Sequence, residues 1–132
     1  MNNLVLAYLG DAVYELNVRE YLINKGICKV NELQKESIKY VSANSQTSIL
    51  DRLLDKDFFT SNEIDIIKRA RNSHSHSSKS TDIITYKKST GFEALIGYLY
   101  LNDKKRLDEL MMEVFSIWKY LVRMFLMNLK IM

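Results

Sequence analysis

Two carboxylates stand where a helical sequence has little use for them. Asp11 falls in Leu9-Gly10-Asp11-Ala12-Val13, midway along an apolar helical stretch. Glu93 falls in Gly91-Phe92-Glu93-Ala94-Leu95-Ile96-Gly97, a second such stretch. An acid buried in such surroundings without a cation is costly, so it normally has a partner. Mg²⁺ is one candidate, because it is held by a few carboxylate oxygens together with water and substrate phosphate. An arginine partner, or the capping of a neighbouring helix, would answer as well, and patterning alone favours that structural reading. The glycines shift the balance toward function. Gly10 beside Asp11 costs a helix about 1 kcal/mol relative to alanine, and glycine lets another helix or a ligand approach the backbone closely. They do not say which.

The elements that must carry these acids are helical. Asn2 or Asn3 caps a helix running to about Asn24, with Gly26 as its stop. Its Leu6, Leu9, Val13 and Leu16 recur at helical spacing and are expected to face the core. Asn31 to Leu54 reads as two helices broken near Ser42-Ala43-Asn44. Thr60 with Glu63 forms a capping-box pattern ahead of Ile64, Ile66 and Ile67, in a helix ending near Asn72. The polar run from Ser73 to Thr81 reads as a mobile loop. Helix is expected again from about Thr90 through Leu101, and from Lys104 toward the end.

The 132 residues make one domain spanning 1–132, and no linker or internal repeat divides them. The 47% hydrophobic and 27% charged content is that of a folded chain, and the absence of proline with only 4 glycines argues against an all-β fold. We expect an all-α protein. The single cysteine, Cys28, cannot form an internal disulfide, and the opening Met1-Asn2-Asn3 lacks a basic leader. Both point to the cytoplasm. Lys119, Arg123 and Lys130 break the apolar C-terminal stretch, so no membrane span is expected. In that tail, which after about residue 113 could extend the domain, Phe115, Trp118, Val122, Phe125, Leu126 and Leu129 form an apolar face. It suits a core or dimer contact better than a membrane surface.

Leu6-Ala7-Tyr8-Leu9-Gly10-Asp11-Ala12-Val13-Tyr14-Glu15 resembles the signature helix of the ribonuclease III catalytic domain. Thr90-Gly91-Phe92-Glu93-Ala94-Leu95-Ile96-Gly97 resembles that domain's second metal-binding helix. The likeness is closest to the Mini-ribonuclease III branch, which lacks a double-stranded-RNA-binding domain. Arg69-Ala70-Arg71-Asn72 and Thr81-Asp82 share it, and it extends to about Met111. Full-length ribonuclease III enzymes carry further acids where this chain has Leu4, Ala7 and Thr90, and the Mini branch is similar to this chain in lacking them.

The resemblance implies an all-α homodimeric endoribonuclease that cuts double-stranded RNA, with precursor ribosomal RNA as substrate. Asp11 and Glu93 are then the catalytic carboxylates and the ligands of Mg²⁺, with Mn²⁺ as a substitute. Glu15, one turn past Asp11, is a lesser candidate. Between Lys68 and Lys88 stand six basic residues against the one acid Asp82. Lys68, Arg69, Arg71, Asn72 and Lys79 are accordingly the expected RNA contacts. His74 and His76 make a His-x-His too sparse to be read as a zinc site. The rival readings are a non-catalytic RNA-binding protein of the same fold and a helical interaction or membrane-surface protein built on the tail.

Overall fold

The computed structural model describes residues 1–73 and 82–131. Six helices follow one another: α1 (Asn3–Asn24), α2 (Val30–Val41), α3 (Ala43–Asp55), α4 (Ser61–Arg71), α5 (Ile83–Asn102) and α6 (Lys104–Ile131). Among the described residues there is no strand, and none of the helices is long and apolar enough to cross a membrane. His74, His76 and Lys79 lie outside the described residues.

The helix starts follow local chemistry. The Asn2 side chain accepts from the Leu4 amide at the head of α1, and the Ser42 hydroxyl accepts from Ser45 at the head of α3. Thr60 and Glu63 close a reciprocal capping box on α4. The break at Ser42 leaves four carbonyls at the end of α2 to be satisfied. The Ser42 amide reaches Ile38 O, the Ser45 hydroxyl reaches Lys39 O, the Tyr14 hydroxyl reaches Tyr40 O, and Gln46 Nε2 reaches Val41 O. Three of those four donors come from α1 and α3, and two of them, Tyr14 and Gln46, also neighbour Glu93.

Helix α5 begins seven residues earlier than its hydrophobic pattern suggests, at Ile83 rather than Thr90. Asp82 caps it by accepting from the Thr85 amide at 3.0 Å and the Thr85 hydroxyl at 2.6 Å. Its first two turns are at least partly exposed and carry no apolar stripe, so only the cap marks them. From Ser89 onward the helix is central. It packs against α1, α3, α4 and α6, and Phe92, Ala94, Leu95 and Ile96 are wholly enclosed.

The buried ladder of α1 runs through Leu6, Gly10, Tyr14, Val18 and Leu22, every fourth residue. Leu16, expected in the core, is 55% exposed, and Leu9 is only half-buried. The face of α1 is centred on Gly10, where the two central helices meet, and Leu16 falls beyond its edge. A Cβ on Gly10 would lie 1.7 Å from the Glu93 carbonyl oxygen, and one on Gly97 would lie 2.1 Å from the Leu6 carbonyl oxygen. The helices therefore run in opposite directions with their backbones touching.

Helix α6 closes the core with Leu107, Leu110, Met111, Val114 and Ile117. Phe115 stacks on Tyr21 at 4.0 Å, and Trp118 meets Tyr40 edge-on at 5.0 Å. Beyond Leu121 the apolar face read from the sequence is uncovered: Val122, Phe125, Leu126 and Leu129 are exposed. Arg106 anchors the start of α6. Its guanidinium grips both carboxylate oxygens of buried Glu63, donates to Phe58 O, and lies 4.3 Å from the Phe58 ring centroid. Burial pushes the Glu63 carboxyl up, but Arg106 and the Thr60 amide outweigh it and hold it below its ordinary value.

Gly10→Ala is expected to cost about 3 kcal/mol or more, because the colliding atom is backbone and neither helix can retreat from the other's core. Urea unfolding measures it. Arg106→Met is expected to cost about 3–5 kcal/mol at neutral pH by leaving Glu63 buried without its cation. Since the Glu63 pKa is depressed in the native protein, that contribution is lost as pH falls through the carboxylate range. Denaturation of Arg106→Met and the parent at pH 7 and pH 3 should therefore converge at the lower pH.

Candidate active site

Asp11 follows Gly10 directly, and Gly10 rests on the carbonyl of Glu93 itself. The tight helix crossing thus delivers the two acids to one place from opposite ends of the chain. Their environments differ. Asp11 is exposed, not buried as its apolar surroundings suggested, whereas Glu93 is partly buried. Burial is the largest influence on Glu93. The Asp11 carboxyl, within hydrogen-bond reach, adds to it, and the Gln46 amide partly opposes both. The Glu93 carboxyl is pushed up to about 8, so at neutral pH it tends to hold its proton.

Gln46 is the residue that sequence reasoning missed. It comes from α3, is only 2% exposed, and donates from Nε2 to Glu93 Oε2 at 3.3 Å as well as to Val41 O. A glutamine in the run Ser45-Gln46-Thr47-Ser48 carries no signal of its own, because nothing in the pattern says that it points inward. Phe92, next to Glu93 in sequence, meets Tyr14 edge to face in the core, with ring centroids 5.6 Å apart.

The neighbouring positions are closed to further acids. Ala7 packs with Ala70 and Ala94, and buried Thr90 turns its hydroxyl onto Tyr86 O. Glu15, the lesser candidate, is ion-paired with Arg19 at 2.8 Å on the outer face of α1. Among the described residues no third His, Cys, Asp or Glu joins the pair. Two carboxylates with polar support suit a hard cation that keeps much of its water, as Mg²⁺ does, and do not suit a closed cage.

Of the expected RNA contacts, Lys68, Arg69, Arg71 and Asn72 lie at the end of α4. Lys68, Arg69 and Asn72 are exposed and Arg71 is half-buried. Arg69 lines a hollow of about 420 Å³ with Leu6, Asn62, Tyr98 and Asn102, next to the Leu6–Gly97 end of the crossing. Lys88, counted in the basic run, is engaged with Asp51 at 3.2 Å and ties α5 to α3. Gly91 joins α4 to α5, since a Cβ there would lie 2.7 Å from Ile67 O.

This helical frame, with an acid pair at its tightest crossing, is that of the ribonuclease III domain, whose family model matches residues 4–104. The chain belongs to the ribonuclease III family and is an endoribonuclease of that type. Within the family it is similar to proteins named Mini-ribonuclease 3. That of Staphylococcus aureus is 46% identical over 119 residues, covering 89% of each chain. That of Brevibacillus brevis is 48% identical over 118 residues, covering 88% of this chain and 87% of its own. A crystal structure of a protein from Fusobacterium nucleatum superposes with a TM-score of 0.77 at 30% identity, over 87% of this chain and 93% of that one.

The raised Glu93 carboxyl makes a stability prediction. Its native value lies above its ordinary 4.5, so the metal-free protein binds the extra proton when folded. That contribution is whole below about pH 4.5 and is lost as pH rises through about 8. In EDTA, stability is expected to fall between pH 5 and 8.5 by on the order of 1–3 kcal/mol, discounted for partial exposure. Glu93→Gln should flatten the decline. Urea midpoints at the two pH values test this, and parallel declines in both proteins would exclude it.

Proposed function

We propose that the chain is a metal-dependent endoribonuclease that hydrolyses phosphodiester bonds in double-stranded RNA, with Asp11 and Glu93 as the carboxylates holding the cation. One observation carries the reading: an exposed and a half-buried carboxylate, from helices locked in backbone contact, share one place, and burial beside Asp11 raises the Glu93 carboxyl. Asp11 faces solvent and can meet a phosphate on the surface of a large substrate. Glu93 is held from behind by Gln46 and keeps its place as charge is exchanged at its front. A divalent cation bound there supplies a water of lowered pKa and offsets charge developing on the scissile phosphate. Mg²⁺ fits the donor set, and Mn²⁺ would serve in its place. In-line hydrolysis leaves 5′-phosphate and 3′-hydroxyl ends.

Precursor ribosomal RNA, that of the large subunit in particular, is the substrate this reading favours, acted on in the cytoplasm. Residues 1–132 then form one catalytic domain. The chain acts as a homodimer, since two sites related by a twofold axis match the two strands of a duplex. Apolar Val5 and Tyr8 on the outer face of α1, 52% and 79% exposed, support a partner surface there. Lys68, Arg69, Arg71, Asn72 and Lys79 serve as phosphate contacts.

The test is cleavage of an end-labelled RNA duplex with Mg²⁺, with EDTA, and with Asp11→Asn and Glu93→Gln. Cutting should require metal and fall to background in both variants. Binding without cutting, over several duplexes and both metals, would leave a non-catalytic RNA-binding protein of this fold. Neutralising Arg69, Arg71 and Lys79 together should weaken duplex binding and reduce its salt slope by roughly 2–3. An unchanged slope would remove these residues from the interface.

A further inference from the structure

Gln46 presents a problem of unbalanced hydrogen bonding. Its Nε2 has two hydrogens, and both are used: one on Val41 O at 3.1 Å and one on Glu93 Oε2 at 3.3 Å. This fixes the orientation of the amide, because turning it over would set Oε1 against the Val41 carbonyl and lose the hold on Glu93. Oε1 is then a buried acceptor, and among the described residues no donor reaches it. A side chain 2% exposed does not normally leave an acceptor unsatisfied, and such an atom marks a place for water or an ion-bound group. Oε1 and Nε2 share one carbon, so Oε1 lies within roughly 5.5 Å of Glu93 Oε2.

From this geometry we infer that Gln46 is a positioning residue for the cation: Nε2 orients the Glu93 carboxylate, and Oε1 accepts a hydrogen bond from a water in the cation's shell. The inference rests on the reading of Asp11 and Glu93 given above and extends it to α3. It explains why a polar side chain from a third helix enters the apolar interior behind the acids. Aspartate or glutamate there would repel Glu93, and lysine or arginine would compete with the cation. An amide offers a donor to the carboxylate and an acceptor to the water without adding charge. Supporting groups of this kind alter metal affinity or activity by about ten- to a hundredfold when removed.

The test compares the parent, Gln46→Met and Gln46→Leu by direct Mn²⁺ binding, read by electron paramagnetic resonance without RNA, and by Mg²⁺ titration of duplex cleavage. Thermal unfolding in EDTA reports on the fold. The expected result is a Mn²⁺ dissociation constant and a Mg²⁺ midpoint both raised about ten- to a hundredfold. Saturating Mg²⁺ should restore much of kcat, and the variant without metal should melt within a few degrees of the parent. Unchanged Mn²⁺ affinity in either folded variant would overturn the inference while leaving Asp11 and Glu93 in place. A parent that neither binds Mn²⁺ nor cuts RNA would overturn the functional reading, and this inference with it. Should one variant fail to fold, the other carries the comparison.

Discussion

Helices α1 and α5 touch backbone to backbone, and almost everything else in the protein accommodates that contact. Side chains normally hold two helices 8–10 Å apart. Here Gly10 lies on the Glu93 carbonyl and Gly97 on the Leu6 carbonyl, so the spacing is set by main-chain atoms. The acid pair inherits the precision of that spacing. Asp11 and Glu93 need no loop to bring them together, because each sits within one residue of the contact or takes part in it. Gly91 against Ile67 repeats the device between α5 and α4. Three of the four glycines thus act as spacers, and only Gly26, at φ 99°, serves a turn.

Around that contact the fold spends few polar groups and gives each a definite task. The open end of α2 is closed by Tyr14 and Gln46, which reach it from α1 and α3, so a helix that touches neither acid still helps to orient both supports. Arg106 and Glu63 do comparable work at the far side, joining the cap of α4 to the start of α6. The acid pair is the exception. Among the described residues no cation is paired with it, and burial together with the neighbouring Asp11 raises the proton affinity of Glu93.

Much of this was legible in the residues because it depends on local chemistry. Asn2, Ser42 and Thr60 announce helix starts by their side chains, and the acids stand out against apolar neighbours. What was not legible depends on the third dimension. The start of α5 was missed because its first turns lack an apolar face and only Asp82 marks them. Leu16 was placed in the core because its spacing fits, but the face of α1 is centred on a glycine that periodicity does not weigh. The exposure of Asp11 reverses a burial inferred from its neighbours in sequence, since a helix apolar in composition still has an outside. Gln46 could not be seen at all. Its role comes from pointing inward among residues that look like any solvated turn.

The separation of the two acids along the chain has a consequence for how activity arises during synthesis. Asp11 emerges from the ribosome early, in the first helix, and Glu93 belongs to the fifth. Until α5 is free to lie against α1 no carboxylate pair exists, and an N-terminal fragment that stops short of α5 carries Asp11 alone. The two acids therefore meet only once α5 has been made and packed against α1. The backbone contact that places the two acids also times their meeting.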